Sequence, residues 1–99
     1  MEYYKLKGKY KSIIQADESC IACGKSYELD CHHIFNSYNK KRSEKYGMMV
    51  YLCRTCHSEV HDTRSPLRRR IEAHAQDVWE HTYGTREEFI KEFNKSYAL

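Results

Sequence analysis

Two C-x2-C pairs constrain this chain more than any other feature of its 99 residues. The first pair is Cys20 and Cys23; the second is Cys53 and Cys56. Each offers two thiolates at the bite of a tetrahedral zinc ion. The 29 residues between the pairs are enough for a β-hairpin that returns one knuckle to the other. Gly24 follows the first knuckle and permits the backbone turn after its second thiolate. A four-cysteine structural Zn2+ is therefore expected, in preference to redox-active thiols. Cys31 is left over and reads as a small, half-buried strand residue.

The length predicts one domain over residues 1–99. A chain this short has a thin core and needs a staple. No apolar run approaches the roughly 20 residues that span a bilayer. Nor does an apolar signal region follow Met1. The expectation is a cytoplasmic chain with no membrane partner, its cysteines reduced. The formal charge of +3 is no more than compatible with nucleic acid; where the charges lie matters more.

Residues 1–17 are basic and tyrosine-rich, without clear periodicity, and read as an extended or partly flexible segment. Ser12-Ile13-Ile14-Gln15 suits a short strand, Leu29 to Phe35 a strand entering a metal site, and Met48 to Leu52 another strand. Asn36 to Gly47 has almost no aliphatic residue and reads as a solvated loop. A helix is expected to start at the second knuckle and carry His57 and His61. Two C-terminal helices should occupy 66–97. The first has Ser65 as N-cap, Pro66 at its first position and Leu67, Ile71, Ala75 and Val78 on one face, with Trp79 beside them. Gly84 stops it. A capping box at Thr85-Arg86-Glu87-Glu88 opens the second, whose apolar side is Phe89, Ile90 and Phe93.

The histidines carry the chemistry. His32 and His33 adjoin on one predicted strand, so they point to opposite sides. His57 and His61 are four apart on a predicted helix, so they face the same way. Phosphodiester hydrolysis needs a base to activate water and a cation to neutralise the phosphate and the leaving oxygen. Histidine supplies the base near neutral pH. The simplest division assigns one of the adjacent pair to a metal and the other to water. Asp30 is either a carboxylate that orients a histidine ring or a strand-edge charge. His74 and His81 have no comparable context.

Residues 20–61, about two-fifths of the chain, resemble the HNH endonuclease family. The likeness lies in Cys20-x2-Cys23, in Leu29-Asp30-Cys31-His32-His33-Ile34, and in Val50-Tyr51-Leu52-Cys53-Arg54-Thr55-Cys56-His57 followed by His61. It implies the small α+β fold called the ββα-metal finger. It places His33 on the general base and His32, His57 and His61 on the ligands of a catalytic Mg2+, Mn2+, Ni2+ or Zn2+. Three imidazoles suit borderline transition metals better than Mg2+. The Tyr83-Gly84-Thr85-Arg86-Glu87-Glu88-Phe89 tail also looks like small phage and prophage members. For such a member the resemblance implies work in the cytoplasm of a bacterial host, beside packaging or recombination machinery. One position departs from the pattern: the family's central Asn should fall at 48, where this chain has Met48. Either another group, such as a backbone carbonyl, then holds the active-site loop, or the enzyme is slow or degenerate.

The implied function is metal-dependent hydrolysis of DNA phosphodiesters with little base specificity, since nothing resembles a dedicated recognition helix. The alternative is a non-catalytic zinc module that binds nucleic acid or protein. That alternative explains the cysteines but leaves four histidines without a joint purpose. Lys40, Lys41 and Arg42, together with Arg68 and Arg69, are candidate phosphate contacts, with a solvated face as the competing reading for each run. Arg70 completes the second run, which fans around more than half a helical turn, so part of it faces away from any single ligand. Tyr38 and Tyr46 can stack or pack.

Overall fold

The structure, a computed structural model, describes residues 3–35 and 39–99. It is a small α+β arrangement of two two-stranded sheets and four helices among the described residues. Strands β1 (Tyr4–Leu6) and β2 (Tyr10–Ser12) form an N-terminal hairpin. Strand β3 (Leu29–His33) precedes helix α1 (Lys40–Tyr46), strand β4 (Met49–Cys53) and helix α2 (Arg54–Val60). Helices α3 (Pro66–Thr82) and α4 (Arg86–Phe93) complete the order.

Strands β3 and β4 pair antiparallel, with Leu29 opposite Cys53 and His33 opposite Met49. All five residues of β4 are buried. An unbroken apolar run with no alternation is what a strand covered on both faces requires. On one face Met49 and Tyr51 pack with Leu6 of the hairpin. On the other, Val50 and Leu52 join the main core with Ala75, Trp79, Phe89 and Phe93 from the C-terminal helices. The outer edge of β4 is also closed. The Ser12 hydroxyl donates to the Met49 carbonyl at 2.7 Å, the Tyr51 N–H donates to Gln15 Oε1 at 2.8 Å, and the Ile21 N–H donates to the Tyr51 carbonyl at 3.0 Å. These contacts satisfy backbone groups that would otherwise be buried unpaired.

Three expectations need correction. The segment read as a solvated loop contains α1; its first positions, 36–38, with Asn36 and Tyr38, lie outside the described residues. Sequence periodicity misses this helix because the residue it buries is Ser43, a polar side chain. Gly47 then ends it in the left-handed region at φ 74°, where a Cβ would also meet the Ile13 amide nitrogen at 3.1 Å. Second, the early strand is Tyr10–Ser12 rather than 12–15, and it belongs to a hairpin that turns at Lys7 and Gly8, both at positive φ. Third, Ile90 is exposed, so α4 packs through Phe89 and Phe93 without it.

The helix signals fare better. Ser65 Oγ accepts from the Arg68 N–H, with Pro66 in the first turn. Thr85 and Glu88 form the reciprocal capping box. Helix α3 ends at Thr82, just before Gly84. Phe35, beyond the end of β3, sits 4.8 Å from the Phe93 ring and 5.6 Å from the Phe89 ring. Tyr46 packs against Trp79 and Tyr83. Aromatic packing thus fastens both C-terminal helices to the residues around β3 and α1. Among the described residues no helix is long and apolar enough to cross a membrane.

Candidate metal and catalytic sites

The β3–β4 hairpin brings the two knuckles together. One ligand sulfur from each of Cys20, Cys23, Cys53 and Cys56 lies within 4.8 Å of the other three. The Cys23 and Cys53 sulfurs are 3.7 Å apart. A tetrahedral ion with bonds of about 2.3 Å to sulfur sets its ligands about 3.8 Å apart, so this spacing suits Zn2+. Gly24 holds φ 82° and its N–H donates to the Cys20 carbonyl at 2.8 Å, which is the turn the knuckle needs. Cys31 stands outside the cluster, half-buried under the N-terminal hairpin.

Protons distribute unevenly over these four thiols. Burial pushes Cys20 up, but backbone N–H groups around it, from Cys53, Cys23 and Ala22, outweigh that and bring it down to about 6. Cys56 moves the other way, raised by burial and by bonding to the neighbouring thiols. Several negative sulfurs cannot share so small a space without a cation. A divalent ion removes that conflict, which is why a structural metal such as zinc is the natural occupant.

A second cluster gathers from β3 and α2. The His32 and His57 ring centroids are 5.2 Å apart, and those of His57 and His61 are 4.9 Å apart. His57 lies on α2, whereas His61 caps it one residue beyond the end. Asp30, two residues before His32 and on the same face of β3, reaches His57 Nδ1 with Oδ2 at 3.1 Å. That bond fixes the His57 ring and leaves its Nε2 for another partner. Asp30 therefore has a defined use beyond that of a strand-edge charge. Burial, followed by the charges of His57, His61, Arg68 and His33, drives His32 down to about 3, so it is held neutral. A neutral imidazole is the form that binds metal. These three rings are neighbours, but their nitrogens are not gathered as tightly as the four sulfurs.

His33 points to the opposite face of β3, as strand alternation requires. Its ring meets Tyr10 edge-on at 5.4 Å. Its Nε2 is 3.3 Å from Glu44 Oε1, near enough for an ion pair but out of line for a hydrogen bond. Glu44 was not foreseen, because nothing in a charged segment marks one carboxylate as a histidine's neighbour.

Met48, at the position of the departing Asn, is fully buried in the main core. Its backbone does the holding. The Met48 carbonyl accepts from the Ile34 N–H at 3.1 Å, and its N–H donates to the Ser43 carbonyl at 2.8 Å. The buried Ser43 hydroxyl accepts from the Phe35 N–H at 3.1 Å and donates to the Phe35 carbonyl. Ser43 and Met48 thus clamp Phe35 and Ile34 as the chain leaves β3.

The candidate phosphate contacts divide in two. Arg42 pairs with Glu92, and Arg68 binds both Glu72 and the Val60 carbonyl, so both guanidinium groups are already engaged. Lys40, Lys41 and Arg69 are exposed. No protein-family model, curated protein or solved structure matches the chain.

Proposed function

We propose that this chain is a metal-dependent endonuclease that hydrolyses DNA phosphodiester bonds in the HNH manner, with a zinc ion on the four cysteines as a structural staple. The observation that carries this reading is the meeting of His32, His57 and His61 beside Asp30, with His33 on the reverse of the same strand. A purely structural zinc module has no use for such a set. In-line displacement asks the attacking water and the leaving oxygen to lie on opposite sides of phosphorus. A base on one face of β3 and a cation site on the other can straddle a phosphate laid along the edge of that strand away from β4.

Residue roles follow. His33 takes a proton from water through the ring nitrogen that does not face Glu44. Asp30 keeps the His57 ring turned toward its neighbours. His32 stays neutral in its buried setting and therefore available as a ligand. A divalent ion on His32, His57 and His61 would supply positive charge to the phosphate and the leaving 3′-oxygen. Lys40, Lys41 and Arg69 are exposed and without an acidic partner among the described residues, so they can meet backbone phosphates, whereas Arg42 and Arg68 would first have to leave their carboxylates.

Conversion of supercoiled plasmid to open circles tests the reading. Zinc-loaded protein should nick when Mn2+, Ni2+ or Mg2+ is added, and His57→Ala should lose second-metal binding and nicking together. Nicking that is indifferent to His57→Ala would remove the assigned metal site.

A further inference from the structure

The described residues of the β1–β2 hairpin add no ligand to the four-cysteine cluster and no histidine to the second, yet they carry a dense run of lysine and tyrosine. Lys5 and Lys11 stand directly opposite each other in the ladder. Like charges in that position repel. Among the described residues neither they nor Lys9 has an acidic partner within ion-pair distance. Two of the three ammonium groups lie over aromatic rings instead: Lys11 is 5.5 Å from the Tyr3 centroid and Lys9 is 5.0 Å from that of Tyr10. Tyr3 itself is half exposed. Together with Glu44 of α1, these residues line a groove of about 440 Å3. The groove leads to His33: Tyr10 packs on that imidazole, and Glu44 is 3.3 Å from its Nε2.

We propose that this groove binds an unpaired strand of nucleic acid and guides its backbone to His33. Lysines interleaved with tyrosines are what a single strand can use in full, with phosphates on the ammonium groups and base faces on the rings. A duplex hides its base faces and would leave the tyrosines idle. An acidic protein surface would use the lysines alone. The single carboxylate in the lining sits at the His33 end, beside the imidazole. The route toward His33 rests on the nuclease reading; the binding does not.

Fluorescence anisotropy tests the proposal. The probes are a labelled twelve-nucleotide oligo-dT and a labelled duplex of equal length, titrated with zinc-loaded protein and no second metal. The oligo-dT should bind more tightly than the duplex. Lys5→Gln with Lys11→Gln should weaken oligo-dT binding about tenfold and flatten the slope of log K against log salt by about 1.4, the share of two phosphates on a single strand. Tyr3→Ala should weaken it by about tenfold, within the range of one lost stacking contact, and leave the slope alone. Lys91→Gln with Lys95→Gln removes the same charge elsewhere and should do little. Lys11 is partly buried and the other positions are exposed, so melting temperatures measured for every variant show whether the fold is intact.

Wild-type binding that ignores the hairpin variants would overturn the proposal, as would an equal loss from the Lys91 and Lys95 pair. No binding of oligo-dT by the wild type would also overturn it. If the hairpin variants lose oligo-dT while the wild type nicks no plasmid, the groove stands and the nuclease reading falls. If plasmid is nicked and the hairpin variants bind oligo-dT as the wild type does, the reverse holds.

Discussion

At Met48 a buried side chain replaces the polar tether that the sequence resemblance leads one to expect. Met48 is fully buried, and its backbone N–H and carbonyl are both already bonded. Met48→Asn should therefore give no gain in cleavage. It should instead lower stability by about 1–3 kcal/mol, because an amide enters an apolar site with its natural partners occupied. Thermal melts run beside a plasmid assay check this. A variant that melts like the wild type and cleaves tenfold faster would mean the loop is under-tethered after all. Asp30 makes the complementary case. Its carboxylate touches His57, which the sequence left undecided between orienting a ring and lying idle. Asp30→Asn should keep the fold and the four-cysteine zinc, yet weaken the second metal by about 10- to 100-fold, the usual effect of losing a carboxylate behind a ligand histidine. Isothermal titration with Ni2+ or Mn2+ reads that change directly.

Among the elements, the strands and helices with strong local signals were legible. β3, β4, α3 and α4 fall within a few residues of where the short apolar runs, capping and proline placed them. Helix α1 was not legible, because its inward residue is Ser43, and the reason lies in tertiary structure. The Ser43 hydroxyl serves Phe35 and its carbonyl serves Met48, contacts that exist only once β3 and β4 have paired. The hairpin hid for a similar reason: Leu6 is its fully buried anchor, and its partners Met49 and Tyr51 lie more than forty residues away. Of the candidate site, the ligand types and their spacing could be read, since they follow from a strand and a helix already marked. The partners from other elements, Glu44 and Tyr10 beside His33, could not. Ser43→Ala tests this view of α1. It removes the one side-chain partner that the Phe35 N–H and carbonyl have among the described residues, so stability should fall by about 1–3 kcal/mol. Hydrogen exchange should speed in α1 and at Ile34 and Phe35 before it speeds in α3. A uniform change across the chain would argue against a local clamp.

For the whole molecule, metal and fold are one question. The main core is small, and the Cys20 and Cys53 sulfurs are part of it. Removing zinc leaves four crowded thiols that resist ionising together. A strong chelator should therefore abolish the cooperative melt, and Cys20→Ser or Cys56→Ser should do the same, whereas Cys31→Ser, outside the cluster, should be mild. About one zinc per chain by elemental analysis is the matching stoichiometry. The central claim, that this scaffold presents His33 as the base of a nuclease, is tested most directly by comparing wild type and His33→Ala in plasmid nicking. Both proteins should be zinc-loaded and given the same added metal, with zinc content and melting temperature measured alongside. The account predicts equal zinc, a similar melt and cleavage lowered by about 100-fold or more, the scale of a lost general base. Equal cleavage by the two proteins would contradict it.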